Sequence, residues 1–414
     1  MSLDNREFLR AFTRIGLLSF GGPAAQIAVM HRELVEERDW LSEQQFLNAL
    51  SFCMLLPGPE AMQLTTYAGW RLRGVRGGLI AGLLFVVPGA VVMGLLAGLY
   101  AWLGKVPLAE ALFLGIKATV VVIVLEALLK VSKKALKGLD HWIIAALSFL
   151  AIFLFAAPFP LIIATAAAYG ALKGGTAAPA PPLGRTGTLK TVVIWGALWW
   201  TPIALLWATG QETLSQIGLF FSKLAIVTFG GAYAVLAYMT QEVVQDQGWL
   251  STPQMMDGLG LAETTPGPLI LVTEFVGYLA GYGAGGVPLA IAAATLTVWV
   301  TFTPCFLWIF AGAPYIEWIS TRPRLTGALQ AITAAVVGVI LNLSLWFATH
   351  VFFGTVSTSR LGPMRWLTPH LDTLDWRALV LGLLAAILLL VLKWGMVRVL
   401  LISAALGVAL SYLG

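Results

Sequence analysis

Charged residues are scarce in this chain of 414 residues. Only 11% are Asp, Glu, Lys or Arg, while hydrophobic residues make up 59% and the mean hydropathy is +0.86. Soluble domains typically carry roughly 25% charged residues, so the composition excludes an ordinary soluble protein. Apolar runs such as 79–104 are long enough to cross about 30 Å of hydrocarbon. Because alternating strand patterns are absent, we predict an all-α integral membrane protein.

Cysteines and enzymatic motifs are also nearly absent. The two cysteines, Cys53 and Cys305, lie in apolar segments and indicate neither a disulfide framework nor a metal site. The sequence contains no Walker A, HExxH or GxSxG motif. We therefore predict no enzymatic activity, no cofactor and no metal. The net charge of +5 comes mostly from Lys and Arg at the ends of apolar runs, so it indicates membrane orientation and not nucleic-acid binding.

The chain contains an internal repeat. Three motifs recur at an offset of 209 residues: SFGG at 19–22 and TFGG at 228–231, WLS at 40–42 and 249–251, and PGP at 57–59 and 266–268. Farther along, Pro88 matches Pro304 at an offset of 216, so the second copy contains an insertion. We predict a first transmembrane repeat at 1–172, a cytoplasmic linker at 173–191, an extra connecting span at 192–209 and a second repeat at 210–414.

The apolar segments predict about thirteen transmembrane segments. They lie at 8–30, 45–70, 79–103, 108–130, 141–156, 159–172, 192–209, 213–239, 254–282, 287–312, 326–350, 377–392 and 395–413. The odd connecting span inverts the second repeat relative to the first. The charges of the loops agree with this inversion. In the first copy the loops at Arg71–Arg76 and Lys130–Lys137 are basic, and their counterparts in the second copy are neutral apart from His350. The second copy instead carries Arg322 and Arg324 in a different loop, so the basic loops of the two copies select opposite faces. We predict inverted-topology repeats in the cell inner membrane, with a cytoplasmic N-terminus and a periplasmic or extracellular C-terminus.

Proline and glycine interrupt the apolar segments at matching places in both copies. One half-helix can end and another begin at such a break, and the first amides of the new half-helix carry positive partial charge. We predict that these amides face an anionic substrate: those of Glu60, Ala61 and Met62 in the first copy, and of Leu269, Ile270 and Leu271 in the second. The predicted binding residues at the breaks are Gly21, Gly22, Pro57, Gly58, Pro59, Gly230, Gly231, Pro266, Gly267 and Pro268. Close helix packing is the alternative role of the glycines, and each broken segment either spans or is re-entrant.

Ionisable residues within apolar segments are costly, and they also indicate a site. Arg14 and Lys223 each precede an FGG motif by five residues, so we predict that both attract the anion; the alternative for Arg14 is snorkelling to the surface. The proton-coupling candidates are Glu60, Glu263 and Glu274. Two further intramembrane charges, Lys117 and Glu126, are candidates for an ion pair, although nine residues of straight helix would hold them about 13 Å apart. The predicted uncharged donors are Ser19, Gln63, Thr228 and Thr265, with hydroxyl bonds back to their own helix as the alternative.

The motifs SFGGP, LLPGPEAMQL, TFGGAY and TTPGPLILVTEFVGY resemble the long-chain, two-copy members of the chromate ion transporter family. The resemblance covers almost the whole chain, and it departs only where the second FGG lacks a following proline. It implies a carrier that exports chromate, driven by the membrane potential or a proton gradient, with sulfate as competitor and chromate resistance as the result. The alternatives are an anion channel, a transporter of sulfate or another oxyanion, and an oxyanion sensor that does not transport. The expected partners are chromate, sulfate and the lipid bilayer, and a homodimer is left open.

Overall fold

The computed structural model describes residues 4–20, 22–103, 106–175, 187–229, 232–316 and 322–412. The helices of these ranges are α1 Asn5–Leu18, α2 Gly22–His31, α3 Glu43–Cys53, α4 Glu60–Leu103, α5 Pro107–Ala135, α6 Leu139–Phe155, α7 Phe159–Lys173, α8 Thr188–Ala208, α9 Glu212–Val227, α10 Ala232–Gln241, α11 Thr252–Thr264, α12 Val272–Gly312, α13 Pro323–Phe352, α14 Trp376–Ala386 and α15 Met396–Ser411. Two strands, β1 Val356–Leu361 and β2 Met364–Pro369, separate α13 from α14.

Five helical segments of the described chain are long and apolar enough to cross a membrane. They are Glu60–Leu103, Pro107–Ala135, Thr188–Ala208, Leu269–Tyr315 and Pro323–Phe352. Shorter apolar helices occupy Leu139–Phe155, Phe159–Lys173, Trp376–Val391 and Met396–Ser411. The prediction of a helical membrane protein is confirmed at this level. The count of thirteen segments and the inversion of the second copy stay predictions.

Helices α4 and α12 each fold back on themselves. In α4 the chain reverses at Arg73 and Gly74, where Gly74 has φ +61°; in α12 it reverses at Gly285 and Gly286, where Gly286 has φ +71°. Left-handed backbone of this kind favours glycine. The two arms pack tightly in antiparallel fashion, because a Cβ at Gly281 would lie 2.6 Å from the Leu289 carbonyl oxygen. Each of these long helices is therefore a helical hairpin with a short first arm and a longer second arm.

The insertion in the second copy lies on both sides of this reversal. The positive-φ glycines of the two reversals, Gly74 and Gly286, are 212 residues apart, between the offset of 209 at the PGP motifs and that of 216 at Pro88 and Pro304. The α-helical first arms, 60–73 and 272–285, have the same length, and the three residues added before the reversal form a 3₁₀ turn, Leu269–Leu271. The second arm is four residues longer up to the matching proline, about one helical turn of 3.6 residues.

The chain forms two compact units, and each unit draws on both sequence copies. The first consists of Met1–Gly98, Thr176–Ala232 and Thr265–Pro323, and the second of Leu99–Gly175, Tyr233–Thr264 and Arg324–Gly414. The first unit contains both PGP motifs. In the second unit α5 packs against α11, α14 and α15, and the close approach of α5 to α15 depends on Gly115, which lies against the Ser403 backbone. The division into two repeats, a linker and a connecting span stays a prediction about the sequence.

The β-hairpin corrects two sequence-based expectations. Strands β1 and β2 pair antiparallel, with Val356 opposite Pro369 and Leu361 opposite Met364. The expectation that strand patterns are absent was therefore wrong at 356–369. The loop after α13 is also longer than expected and carries Arg360 and Arg365, which Asp372 and Asp375 balance in net charge but not in the count of basic residues that sets orientation. This weakens the charge argument for inverted topology.

The tight contact within α12 predicts opposite effects for two glycines of the same arm. Gly281→Ala places a methyl group against the Leu289 carbonyl, so we expect a lower midpoint of thermal unfolding in detergent, corresponding to about 1–3 kcal/mol of overpacking. Gly283→Ala is the matched control, because no atom lies within 4 Å of its Cβ position. Because alanine has a higher helix propensity than glycine, the midpoint of thermal unfolding of Gly283→Ala should stay the same or rise. Equal midpoints for the two variants would contradict the packing argument.

Candidate functional site

Both PGP motifs interrupt helical structure, as the sequence predicts. Helix α3 ends at Cys53 and α4 begins at Glu60; helix α11 ends at Thr264, and a short 3₁₀ turn, Leu269–Leu271, leads into α12. The central glycines have positive φ, +118° at Gly58 and +86° at Gly267, which a residue with a side chain rarely adopts. The flanking prolines, Pro57, Pro59, Pro266 and Pro268, have no N–H to leave unsatisfied in the break.

The FGG motifs also separate helices. Helix α1 ends at Leu18 and α2 begins at Gly22, whose φ is +79°; helix α9 ends at Val227 and α10 begins at Ala232. Gly21, Gly230 and Gly231 lie outside the described residues. Ser19 and Thr228, the first residues of the SFGG and TFGG motifs, are the C-terminal caps of α1 and α9.

The PGP and FGG breaks bind each other crosswise. The Gly58 amide donates to the Thr228 carbonyl at 2.8 Å, and the Gly267 amide donates to the Ser19 carbonyl at 2.8 Å. Donors and acceptors are both 209 residues apart, so each PGP motif of one copy is bound to the FGG segment of the other copy by the same hydrogen bond. These two backbone bonds join the four motifs into two equivalent pairs, and both pairs lie in the first unit.

Packing around the two central glycines follows the same two-fold pattern. A Cβ added at Gly58 would lie 3.0 Å from Cys305 Sγ. A Cβ added at Gly267 would lie 3.6 Å from the Gly89 Cα. Cys305 and Gly89 are 216 residues apart, so they are equivalent positions after the insertion. The thiol of Cys305 therefore fills on one side the space that Gly89 leaves for backbone contact on the other.

Two glutamine side chains break this symmetry. Gln26 Nε2 donates to the Gly267 carbonyl at 2.7 Å, and Gln63 Nε2 donates to the Pro57 carbonyl at 2.6 Å. Both glutamines are buried, and the residues 209 positions later are Val235 and Val272. Gln63 was predicted as a donor; Gln26 was missed, although a polar residue in the apolar run PAAQIAVM is a usable signal. Each glutamine holds the carbonyl of a break.

The predicted hydroxyl donors are largely committed to their own helices. Ser19 Oγ donates to the Ile15 carbonyl at 2.5 Å, and Thr228 Oγ1 donates to the Leu224 carbonyl at 2.6 Å. Both follow the back-bonding alternative, which leaves their oxygens only as acceptors. Thr265 is buried next to the second PGP motif.

Buried backbone amides are the donors that remain at the breaks. The Gln63 amide donates to the Pro59 carbonyl at 3.1 Å, and the Leu271 amide donates to the Pro268 carbonyl at 2.9 Å, so the prediction of a free Leu271 amide was wrong. Four other amides at these two helix starts have no hydrogen-bond acceptor anywhere in the described chain. They are Ala61, Met62, Leu269 and Ile270, all buried. Buried unpaired N–H groups are rare in native proteins, and a helix start of this kind suits an anion.

The two predicted cations lie outside this buried region. The Arg14 side chain is 47% exposed and forms ion pairs with Glu33 at 3.0 Å and Glu37 at 3.4 Å, both in the connector after α2. Lys223 is exposed on α9. The roles of Arg14 and Lys223 in anion binding stay predictions that this geometry does not favour over surface pairing.

The three candidate carboxylates differ in their surroundings. Glu60 is half-buried at the first residue of α4, and Glu274 is buried in the first turn of α12. Glu274 Oε2 has no hydrogen-bond partner among the described residues. Glu263 lies in the second unit, where its Oε1 accepts from the Tyr233 hydroxyl at 3.0 Å. Glu60 and Glu274 therefore lie at the starts of the two half-helices that carry the unpaired amides.

Comparison with known proteins identifies the family. The family model described as chromate transporter matches residues 6–171 and again 215–408. The chain belongs to the chromate transporter family. A chromate transport protein of Pseudomonas aeruginosa is 34% identical over 338 residues, 81% of this chain and 79% of the relative. A chromate transport protein of Cupriavidus metallidurans is 30% identical over 347 residues, 81% of this chain and 80% of the relative.

A shorter relative of this transporter supports the duplicated unit. An uncharacterized transporter of Bacillus subtilis, YwrA, is 31% identical over 166 residues, 39% of this chain but 93% of the relative. Its length thus corresponds to about one copy of the repeat. No solved structure matches the chain. Membrane transport is accordingly the activity of the family, and an enzymatic role finds no support in it.

The second unit of the transporter contains an ion pair that the sequence did not reveal. Lys117 Nζ lies 2.9 Å from Asp257 Oδ1, and the Tyr100 hydroxyl donates to Asp257 Oδ2 at 2.7 Å. Glu126 instead pairs with Lys130 at 2.6 Å, one turn along α5. Lys117 and Glu126 therefore each pair elsewhere and not with each other, as their spacing of nine residues indicates, because α11 packs against α5 and supplies a closer carboxylate to Lys117.

This ion pair predicts a strong coupling energy. Asp257→Asn leaves the largely buried Lys117 uncompensated, and we expect a loss of about 3 kcal/mol in the free energy of unfolding. In the double variant Lys117→Gln/Asp257→Asn the loss should be well below the sum of the single losses. The exposed Glu126–Lys130 pair is the matched control, with a coupling of about 0.3–0.5 kcal/mol. Additive losses at Lys117 and Asp257 in denaturant titrations would contradict a direct pair.

Proposed function

We propose that this protein is a secondary transporter that exports chromate across the cytoplasmic membrane by alternating access and thereby gives chromate resistance. The observation that carries the proposal is the pair of crosswise-bound breaks, where the buried amides of Ala61, Met62, Leu269 and Ile270 lack acceptors in the described chain. The relatives named chromate transport proteins support chromate as the substrate. Sulfate, a tetrahedral dianion of similar shape, is the expected competitor.

The electrostatics of the breaks suit a dianion. Each helix start carries about half a positive elementary charge, so the two starts would supply roughly one unit to an anion that both face, without any cationic side chain. Water-excluded surroundings strengthen this attraction. The glutamines Gln26 and Gln63 hold the break carbonyls away from the anion, because their amides bind the carbonyls of Gly267 and Pro57. The half-helix amides are thus the proposed primary donors.

The driving force follows from the charge of the substrate. A membrane potential that is negative inside favours the outward movement of each negative charge by about 2.3 kcal/mol per 100 mV. Glu60 and Glu274 lie at the same helix starts and would compete with the anion when ionised, so we propose them as proton-coupling groups. Glu263, buried against the Tyr233 hydroxyl, is the third such group.

Inverted-topology repeats are part of the same proposal. The crossed bonds between Gly58 and Thr228 and between Gly267 and Ser19 support a two-fold relation between the copies. The N-terminus and the linker at 173–191 would then be cytoplasmic, and the C-terminus would be periplasmic or extracellular. Rocking of one part of the transporter against another would alternate access to the crossed breaks.

The direct experiment is chromate flux into proteoliposomes that contain the purified protein. We expect saturable flux that responds to an imposed membrane potential or pH gradient and is inhibited by sulfate. Flux that is linear in chromate concentration would favour an anion channel. No flux of chromate under any gradient by a folded protein would refute the chromate assignment.

The proposed role of the amides can be tested at Leu269. Proline there removes one N–H and fits the extended conformation of Pro268, which precedes a 3₁₀ turn. Leu269→Ala is the matched control, because it loses the side chain but keeps the amide. We expect the KM for chromate to rise roughly ten- to hundredfold more in Leu269→Pro, the loss of a hydrogen bond to a charged group. Equal KM values in the two folded variants would remove this amide from the site.

The proposed role of Lys223 has its own test. If this lysine attracts the anion from the surface of α9, Lys223→Ala should abolish or strongly reduce chromate flux while the protein stays folded. Lys130→Ala, which removes an exposed lysine of the second unit, is the control and should transport normally. Normal flux and affinity in Lys223→Ala would exclude the residue.

A further inference from the structure

A cavity of about 240 Å³ lies under the β-hairpin in the second unit. Its polar lining includes Thr240, Gln241, Gln245, Asn342, His350 and Arg365, and no Asp or Glu is among the described residues that line it. The volume is below the roughly 300–1,000 Å³ of typical pockets for organic ligands. The cavity is therefore small and lined by both apolar and polar side chains, and Arg365 is the charged residue among the described residues that line it.

Two arginines face each other across the hairpin; Arg365 lines this cavity, and Arg360 is exposed. Arg360 of β1 lies directly opposite Arg365 of β2, and side chains directly opposite on antiparallel strands leave the same face of the sheet. Like charges in this arrangement are destabilising. Within the described chain neither guanidinium forms an ion pair. Burial lowers the pKa of Arg365 and the charge of Asp246 partly opposes this shift, so a carboxylate is near but does not neutralise the pair.

The neutral groups of the cavity are uncommitted donors. Gln241, Gln245 and Asn342 line it, and their carboxamides form no hydrogen bond with any other described residue. His350 Nδ1 lies 2.8 Å from the Trp346 carbonyl, so that nitrogen is already used. These three carboxamides and the half-buried Arg365 guanidinium offer several N–H groups to one small acceptor-rich ligand.

We propose that this cavity is a second anion site, which binds a tetrahedral oxyanion group between Arg365 and the carboxamides of Gln241, Gln245 and Asn342. The bound group would relieve the repulsion between Arg360 and Arg365. The site depends on the hairpin, which the first copy lacks: residues 136–138 join α5 to α6 there, whereas residues 353–375 with the hairpin join α13 to α14. An inorganic oxyanion and the phosphate of a lipid headgroup share this chemistry.

The test counts oxyanion groups bound to the purified full chain in detergent. Equilibrium binding of radiolabelled sulfate measures the inorganic source, and phosphorus analysis of tightly held phospholipid measures the lipid source. We expect Arg365→Gln to hold one oxyanion group fewer per chain than the wild type. Arg398→Gln, which removes an exposed arginine stacked on Trp394, is the control and should bind as the wild type does.

Each outcome decides the proposal. Loss of one sulfate per chain assigns the site to an inorganic oxyanion, and loss of one phospholipid phosphate assigns it to a lipid. An unchanged total in folded Arg365→Gln overturns the proposal. If Arg365→Gln fails to fold, Gln241→Leu retains both arginines, and the affinity of the second site should fall about tenfold; an unchanged affinity overturns the proposal equally. The count does not depend on flux, so it can fail while the proposed transport function stands.

Discussion

The backbone hydrogen bonds of the helix breaks are the constraint on which the first unit depends. An unpaired N–H or C=O group in hydrocarbon costs several kcal/mol, so a membrane helix can stop in apolar surroundings only where other groups satisfy its ends. The crossed bonds from Gly58 to Thr228 and from Gly267 to Ser19 do this for two amides and two carbonyls at once. The amides that stay unpaired at the same breaks are the donors that the proposed anion would satisfy.

The sequence predicted the breaks because their cause is local. Proline without an N–H and glycine with positive φ impose a stop wherever they occur, and their recurrence at one offset revealed the repeat. The crossed bonding could not be predicted, since it joins residues more than 160 positions apart through backbone atoms that carry no sequence signal. The sequence placed a free amide at Leu271 for a different reason: it did not reveal the short 3₁₀ turn, in which this amide binds the Pro268 carbonyl three residues earlier.

Charge partners and the hairpin were missed for different physical reasons. Lys117 and Asp257 lie on helices far apart in sequence, and spacing along one helix predicts only partners three or four residues away. The hairpin sequence VSTSRL is mostly polar, with few of the apolar residues that make strand alternation recognisable. The ion pair thus depends on the packing of distant helices, whereas the hairpin is a local structure whose tight turn contains Gly362 with φ +59°.

The two copies differ most where side chains, and not backbone, form the contacts. The crossed bonds use only main-chain atoms, so they persist although few side chains match between the copies. The side chains at equivalent positions differ: Gln26 corresponds to Val235, Gln63 to Val272, and Gly89 to Cys305. The hairpin with Arg360 and Arg365 has no counterpart in the first copy. A symmetric backbone frame with asymmetric side chains suits a carrier in which both copies build one substrate site while each is free to provide a different proton or anion contact.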